Sequence, residues 1–236
     1  DASGSQQYVH QTTYGMSERL LGAIVASHGD DKGLVMPPPV APVQVVVIPI
    51  ISKGDSSEVI SESERITLEL KTAGIRVRLD SRDIRPGQKY YDWEIKGVPL
   101  RMEIGPRDLA NNSVMCVRRT GGKQSHSMDD LVDTVRSELD SIGEEIKQQS
   151  SDHFNSRIKA LPAFTIDGTD LIFDQAIEKG TVYEMAFDGN DAEAEMIEKG
   201  TDLSFLGDST KAYKKKVPCV FTGKPTTRRI FLAKPY

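Results

Sequence analysis

Val43-Gln44-Val45-Val46-Val47-Ile48-Pro49-Ile50 decides the fold of the middle of this 236-residue chain. A near-continuous β-branched run of this kind is far shorter than the roughly 20 apolar residues a spanning helix needs. It marks instead a strand covered on both faces, as in a sheet flanked by helices. Working outward, Val59, Ile66, Leu70 and Ala73 return at helical spacing, and Gly74 stops that helix. Ile75-Arg-Val-Arg-Leu79 alternates as a strand, Gln88 to Ile95 reads as a short helix, and Pro99 to Ile104 and Ser113 to Arg118 read as strands. Met128, Leu131, Val135, Leu139, Ile142 and Ile146 then keep three-and-four spacing over a long helix. Ser127 is its expected cap, Asp129 and Asp130 suit the positive end of its dipole, and Phe154 and Ile158 extend its stripe towards Pro162. This alternation implies a small α/β layer with a mixed sheet over residues 43–150.

On the upstream side, four of the twelve prolines fall within residues 37–42, which reads as a stiff, extended linker. Residues 6–14 are β-prone and end at Gly15, a strand running into a turn. A helix should follow, capped by Ser17, carrying Leu20, Leu21, Ile24 and Val25 and ending by Gly29. Downstream, residues 151–236 read as α+β, with strands at Thr181 to Phe187, Val217 to Phe221 and Arg229 to Ala233 and helices at Leu171 to Glu178 and Ala192 to Lys199. The expected division is therefore 1–36, a linker at 37–42, 43–150 and 151–236.

With 38% hydrophobic and 28% charged residues the chain has the balance of a globular protein, not a disordered one. Cys116 and Cys219 stand far apart with no Cys-x-x-Cys pair, which gives no disulfide framework and points to a reducing cytoplasm. No run is long enough to cross a membrane, and the first residues have neither the basic start nor the apolar core of a secretory signal. The absence of an initiator Met leads us to expect a chain that begins inside a larger protein. Net charge is −5, but it is segregated. Residues 76–123 hold 11 basic and 6 acidic side chains, residues 124–210 hold 6 and 20, and the last 26 residues hold 8 and none. The tail's cations either neutralise the acidic stretch across one domain or face a partner. In the middle block the cations are interleaved with Tyr90, Tyr91 and Trp93, the pattern of a module that grips phosphates and stacks on unpaired bases.

Three ordered blocks carry a resemblance. Gln11-Thr-Thr-Tyr-Gly15-Met-Ser-Glu-Arg19-Leu, with His28-Gly-Asp-Asp-Lys-Gly-Leu34 and the Val43 run behind it, resembles the third signature motif of class II aminoacyl-tRNA synthetases and its downstream linker. Asp80-Ser-Arg-Asp-Ile-Arg-Pro-Gly-Gln-Lys89-Tyr-Tyr-Asp-Trp-Glu94-Ile-Lys96-Gly-Val-Pro-Leu-Arg101-Met-Glu-Ile-Gly-Pro-Arg107-Asp resembles the anticodon-binding core of the prolyl-tRNA synthetase family. Ala233-Lys-Pro-Tyr236 resembles the C-terminus of its archaeal and eukaryotic-like branch. The resemblance implies a piece of the class II antiparallel-sheet catalytic domain, then an α/β anticodon-binding domain with a mixed sheet, then a small α+β C-terminal domain. It implies ATP-dependent joining of proline to proline tRNA through prolyl-adenylate, with Mg2+ accompanying ATP, in a cytoplasmic homodimer. Arg19 would be the catalytic arginine that stacks on adenine, and Gln11, Thr12, Thr13 and Gly15 would line the ATP or prolyl site. The family's first and second motifs belong upstream, so no aminoacylation is expected from this chain alone.

The family reads two guanines, and an unpaired guanine offers N1–H and N2–H to a carboxylate and O6 and N7 to Arg or Lys. The preferred base readers are accordingly Arg82, Asp83, Lys89, Glu94 and Lys96, converging on one concave surface, with Arg118, Arg119 and Lys123 on phosphates; the alternative for several is an ion pair inside the fold. Many relatives hold zinc in the C-terminal domain with four cysteines, of which only Cys219 stands here, so no structural zinc is expected. Asp188, Asp191 and Glu193 fit no calcium loop and read as a solvated acidic face, and Tyr236 as an aromatic anchor. Two other functions share these features: a noncatalytic tRNA-binding module derived from a synthetase, and a threonyl, glycyl or histidyl enzyme with the same anticodon fold. Retention of Gly15 to Arg19 speaks for the enzyme.

Overall fold

The structure, a computed structural model, describes residues 3–6, 8–9, 11–51, 57–168 and 170–234. It divides into two compact units, Asp1–Ser150 and Ser151–Tyr236. In chain order the first contains α1 (Arg19–His28), β1 (Val45–Pro49), α2 (Ser57–Thr72), β2 (Val77–Leu79), α3 (Pro86–Ile95), β3 (Leu100–Ile104), α4 (Pro106–Ala110), β4 (Ser113–Arg118), β5 (Lys123–Ser127) and most of α5 (Leu131–Ser156).

The five strands form one mixed sheet in the order β2-β1-β3-β4-β5, with β1 parallel to both neighbours and the β3-β4-β5 pairings antiparallel. The pleat explains why β1 is apolar throughout. Val45 and Val47 point into a core with Ile66 and Leu70 of α2 and Leu131, Val135 and Ile142 of α5. Val46 and Ile48 point the other way, against Val98 and the rings of Tyr90 and Trp93 on α3. Successive residues of a strand face opposite sides, so a layer on each face leaves no place in β1 for a polar side chain.

Ser127 does not cap the long helix. It ends β5, a strand the sequence reading lacks, and its hydroxyl accepts the Asp129 N–H at 3.1 Å before α5 begins at Leu131. Lys123-Gln-Ser-His-Ser127 has no apolar alternation; it becomes a strand because Gly121 and Gly122, with φ of +111° and +95°, turn the chain back along β4. At the other end of the unit, the described part of residues 6–14 forms no strand, because no described strand lies alongside to take its hydrogen bonds. α1 forms as expected, although its cap is Glu18 and not Ser17. It buries none of its residues, leaving Leu20, Leu21 and Val25 about half exposed.

Beyond α1 the chain lies along the unit as a strap. Leu34 N–H donates to the Ile95 carbonyl (3.0 Å) and Met36 N–H to the Gly97 carbonyl (3.2 Å). The approach leaves no room for side chains: a Cβ on Gly97, at φ +70°, would meet the Leu34 carbonyl oxygen at 2.6 Å. The proline segment is held as well, since Arg76 donates to the carbonyls of Ala41 (2.8 Å), Pro38 (2.8 Å) and Pro39 (2.9 Å).

The second unit contains β6 (Ile158–Ala160), β7 (Phe164–Asp167), β8 (Asp170–Phe173), β9 (Val182–Ala186), α6 (Asp191–Thr201), β10 (Ser204–Asp208), β11 (Val217–Pro218), β12 (Pro225–Thr226) and β13 (Arg229–Ala233). Its main sheet runs β10-β13-β9-β6 and surrounds a core of Tyr183, Met185, Ile197, Leu203, Ile230 and Leu232. α6 starts with a capping box, Asn190 and Glu193 each accepting the other's N–H. The helix expected at Leu171 to Glu178 is instead β8 of a hairpin: the turn at Gly168 (φ +64°) pairs β7 with β8 and brings Phe164 and Phe173 to 5.3 Å. The strand expected at Val217 to Phe221 shrinks to two residues, and Tyr236 lies outside the described residues. Among the described residues no helix is long and apolar enough to cross a membrane.

Candidate nucleic-acid interface

The candidate interface grows from α3 and the end of β2. Pro86 at the first turn fixes the entry into α3. Directly before it, Asp80 is buried and tied on three sides. It takes two bonds from Arg82 (Nε 2.9 Å, Nη2 2.7 Å) and one from the Trp93 indole N–H (2.7 Å). The Arg82 guanidinium, reinforced by the indole, holds the Asp80 carboxyl down at about 2. Arg82 also donates to Asp92 at 2.8 Å, so both ends of its guanidinium are committed to carboxylates. Lys89 is buried, its ammonium donating to the Asp80 carbonyl at 3.1 Å, and burial pulls its pKa down. These two expected base readers therefore fasten α3 to the sheet: Lys89 is withdrawn from the surface, while Arg82, about half exposed, keeps a solvent-facing edge between its two carboxylates. Asp83 stands exposed in the loop between β2 and α3.

Glu94 and Lys96 lie at the other end of α3, and Trp93 links them to the Asp80 cluster. The alternation Leu100-Arg-Met-Glu-Ile104 sends Leu100, Met102 and Ile104 into the α2/α5 core and turns Arg101 and Glu103 towards α3. Arg101 lies over the Tyr90 ring at 4.0 Å and donates to Glu103 at 3.0 Å; the Lys96 ammonium lies over the Trp93 ring at 4.6 Å. Burial first, and then the nearby Glu103, pushes the Tyr90 hydroxyl up to about 12. A cavity of about 170 Å³ opens here among Trp93, Glu94, Arg101, Arg119, Gly121 and Gly122. It is several times the roughly 30 Å³ share of one water molecule. One carboxylate, one stacked arginine and an indole thus border a single recess. That set offers an acceptor to base N–H groups and donors to base carbonyls, beside an indole covered by Lys96. Arg101 is the member that the preferred list omits, although the alternation of β3 already marks it as facing α3.

Arg118, Arg119 and Lys123, expected on phosphates, are occupied within the fold. Arg118 projects to the core side of β4 and forks between Glu138 (2.6 Å) and Glu145 on α5. The Arg119 side chain is 4% exposed and grips Asp30 with both terminal nitrogens (2.8 and 2.5 Å) and the Glu94 carbonyl with Nε (3.2 Å). Its guanidinium holds the Asp30 carboxyl down at about 2. Lys123 pairs with Glu103 at 3.0 Å. Sequence reasoning counted cations but had no means of locating their partners, which stand 20 to 89 positions away.

Gln11, Thr12, Thr13, Gly15 and Arg19 are all exposed, Arg19 at the first turn of α1 and the others before it. Among the described residues the Arg19 side chain makes no hydrogen bond or ion pair, and nothing gathers these five around a cavity. In the second unit Cys219 is buried, its sulfur accepting N–H groups from Asp188 (3.3 Å) and Thr222 (3.5 Å). Burial raises its pKa, but hydrogen bonds from the Thr222 side chain and from the Thr222, Asp188 and Phe221 amides outweigh it and leave the thiol below its ordinary value. No group of three or more His, Cys, Asp or Glu among the described residues is arranged to hold a metal ion.

Comparison with known proteins places these features. Residues 44–138 match the anticodon binding domain family, the segment that carries the sheet, α3 and the recess. The chain is 43% identical to a proline–tRNA ligase of Thermococcus kodakarensis over 92% of its own length and 44% of that protein. It is 42% identical to one of Methanosarcina mazei over 99% of its length and 48% of that protein. The chain thus spans about half the length of the curated relatives it matches. Among solved structures, Giardia lamblia prolyl-tRNA synthetase in complex with prolyl-adenylate superposes with a TM-score of 0.79 at 28% identity, covering 92% of this chain and 47% of that one. With an anticodon-binding domain at its centre and more than two-fifths identity to proline–tRNA ligases across nearly all of its residues, the chain belongs to the prolyl-tRNA synthetase family.

Proposed function

We propose that this chain works in the ATP-dependent ligation of proline to proline tRNA through prolyl-adenylate, with residues 43–150 reading the anticodon. The observation that carries the reading is the recess of Trp93, Glu94 and Arg101, which joins an acceptor and a donor beside an aromatic wall in the domain that matches the anticodon binding family. Glu94 accepts N–H donors of an unpaired guanine, Arg101 and Lys96 meet its O6 and N7 or a neighbouring phosphate, and Asp83 lies at the exposed loop edge. Arg82 and Lys89 act indirectly, by fixing α3. Residues 1–36 belong to the catalytic domain: Arg19 takes the adenine of ATP, and Gln11, Thr12, Thr13 and Gly15 line the ATP or prolyl site. The half-exposed apolar side of α1 supports this, as a face built to be covered. Mg2+ accompanies ATP as its counter-ion. The assembly is a homodimer in the cytoplasm. The noncatalytic module remains the rival, and the exposed, unpartnered Arg19 favours the enzyme over it.

The test is binding of the chain to proline tRNA followed by fluorescence anisotropy, against transcripts in which the two anticodon guanines are adenines. The wild type should lose about 1–3 kcal/mol on the exchange, the worth of good base contacts. Glu94→Ala should bind both transcripts alike. Equal affinity of the wild type for both would remove the anticodon reading.

A further inference from the structure

The second unit carries a cationic, aromatic surface that the anticodon reading does not use. The loop between β10 and β11 contains Lys211, Lys214, Lys215 and Lys216, all exposed. Among the described residues none of the four belongs to an ion pair, whereas Arg228 pairs with Asp208 and Lys234 with Asp202. One residue pins the loop. Tyr213 donates its hydroxyl to Glu184 on β9 and lies 5.0 Å beneath the guanidinium of Arg229 on β13. The anchor also occupies Glu184, the carboxylate beneath the loop. The lysines are therefore displayed from a fixed point and not on a loose tail.

The same loop borders a depression of about 340 Å³ whose floor is apolar, with Phe154, Ile158, Leu206 and Phe231, and whose rim includes Lys211. Phe154 is 59% exposed and Leu206 56%. An aromatic face left to solvent with an unpaired lysine on its rim, on a loop that displays three more, is the combination that binds single-stranded nucleic acid, phosphates on the lysines and a base against the ring. A protein partner of opposite charge would satisfy the lysines and could bury the ring, but its binding would not be competed by the oligonucleotide. A duplex would satisfy the lysines and offer no free base to the ring.

We propose that the second unit is itself an RNA-contact surface, which takes a looped or single-stranded segment with phosphates on Lys211, Lys214, Lys215 and Lys216 and an unpaired base on Phe154. The proposal is independent of anticodon recognition, since any RNA with unpaired bases serves.

The experiment is anisotropy of the full chain with a fluorescein-labelled oligouridylate 20-mer and with a blunt RNA duplex, from 50 to 200 mM KCl. Oligouridylate lacks the guanine proposed for the Glu94 recess, and Glu94→Ala, run alongside, should bind it as the wild type does; a loss in Glu94→Ala as large as in the quadruple variant would assign the binding to the recess and overturn the proposal. The quadruple variant K211Q/K214Q/K215Q/K216Q should bind the oligonucleotide about tenfold or more weaker, with a salt slope lower by about 2 to 3, as expected when three or four phosphate contacts are lost from a single strand. Phe154→Ala should keep the slope and lose affinity for the oligonucleotide but not for the duplex. K71Q/K199Q, which removes two cations elsewhere, should leave both unchanged. The same slope in wild type and quadruple variant, or equal effects of the quadruple and K71Q/K199Q variants, would overturn the proposal. So would a Phe154→Ala loss that is the same for oligonucleotide and duplex.

Discussion

Asp80 shows how one carboxylate decides where a recognition helix sits. Its bonds to Arg82 and Trp93 join the end of β2 to two points on α3 or just before it, and Lys89 caps its carbonyl. Its pKa, about 2 against an ordinary 3.8, makes a pH prediction. The folded state prefers the ionised form, so the stabilisation is complete above about pH 4 and fades as pH falls towards 2. The size is about 2 kcal/mol at 1.36 kcal/mol per unit. Urea unfolding of Asp80→Asn should show a lower stability at pH 7 and a flatter loss between pH 5 and pH 2 than the wild type. An unchanged acid limb would mean that the Arg82 pair contributes nothing. The residue scale also corrects the reading of charge as contact: Arg82, Arg118 and Arg119 look like free cations in the sequence, and each has both guanidinium ends on carboxylates or carbonyls in the fold.

Among the elements, the strap of residues 30–36 and α3 depend on each other. Asp30 closes on Arg119, Lys32 approaches Glu94 at 3.5 Å, and the Leu34 and Met36 amides bond at Ile95 and Gly97. The end of α3 that carries Glu94 is therefore held from the side by the segment that follows α1. Gly97→Ala combines a positive φ with a clash against Leu34, and should cost on the order of 1–3 kcal/mol. Hydrogen exchange should report it locally, with the Leu34 and Met36 amides losing protection while the β1 amides keep theirs. α5 belongs to the opposite face: its stripe of Leu131, Val135, Leu139, Ile142 and Ile146 is buried against the sheet. That stripe was legible because a helix can bury a face only at three-and-four spacing. The hairpin of β7 and β8 was not, because Leu171-Ile-Phe also fits a helix, and the Gly168 turn decided between them.

At the scale of the whole chain, the main core of each unit shares no residue with the other, and a smaller cluster under α3 adds to the first unit. Ile142→Ala and Ile230→Ala each delete a fully buried side chain, one per core, and each should cost about 2–5 kcal/mol. In a calorimetric scan each substitution should lower the transition of its own unit and spare the other; a shift of both by either variant would mean a single cooperative unit. Charge is also divided at this scale. The eight cations of the last 26 residues do not simply cancel the acidic stretch before them, since only Arg228 and Lys234 pair with it among the described residues. The sequence by itself determined most of the elements and the mixed sheet, β5 and the β7–β8 hairpin excepted, because a strand buried on both faces and a helix buried on one each leave a periodic mark in the order of residues; the family it carried separately, in the three blocks that resemble prolyl-tRNA synthetases. The tertiary structure alone decided which charges remain available. The partner of a cation lies across a sheet or along a distant helix, and no local spacing records it.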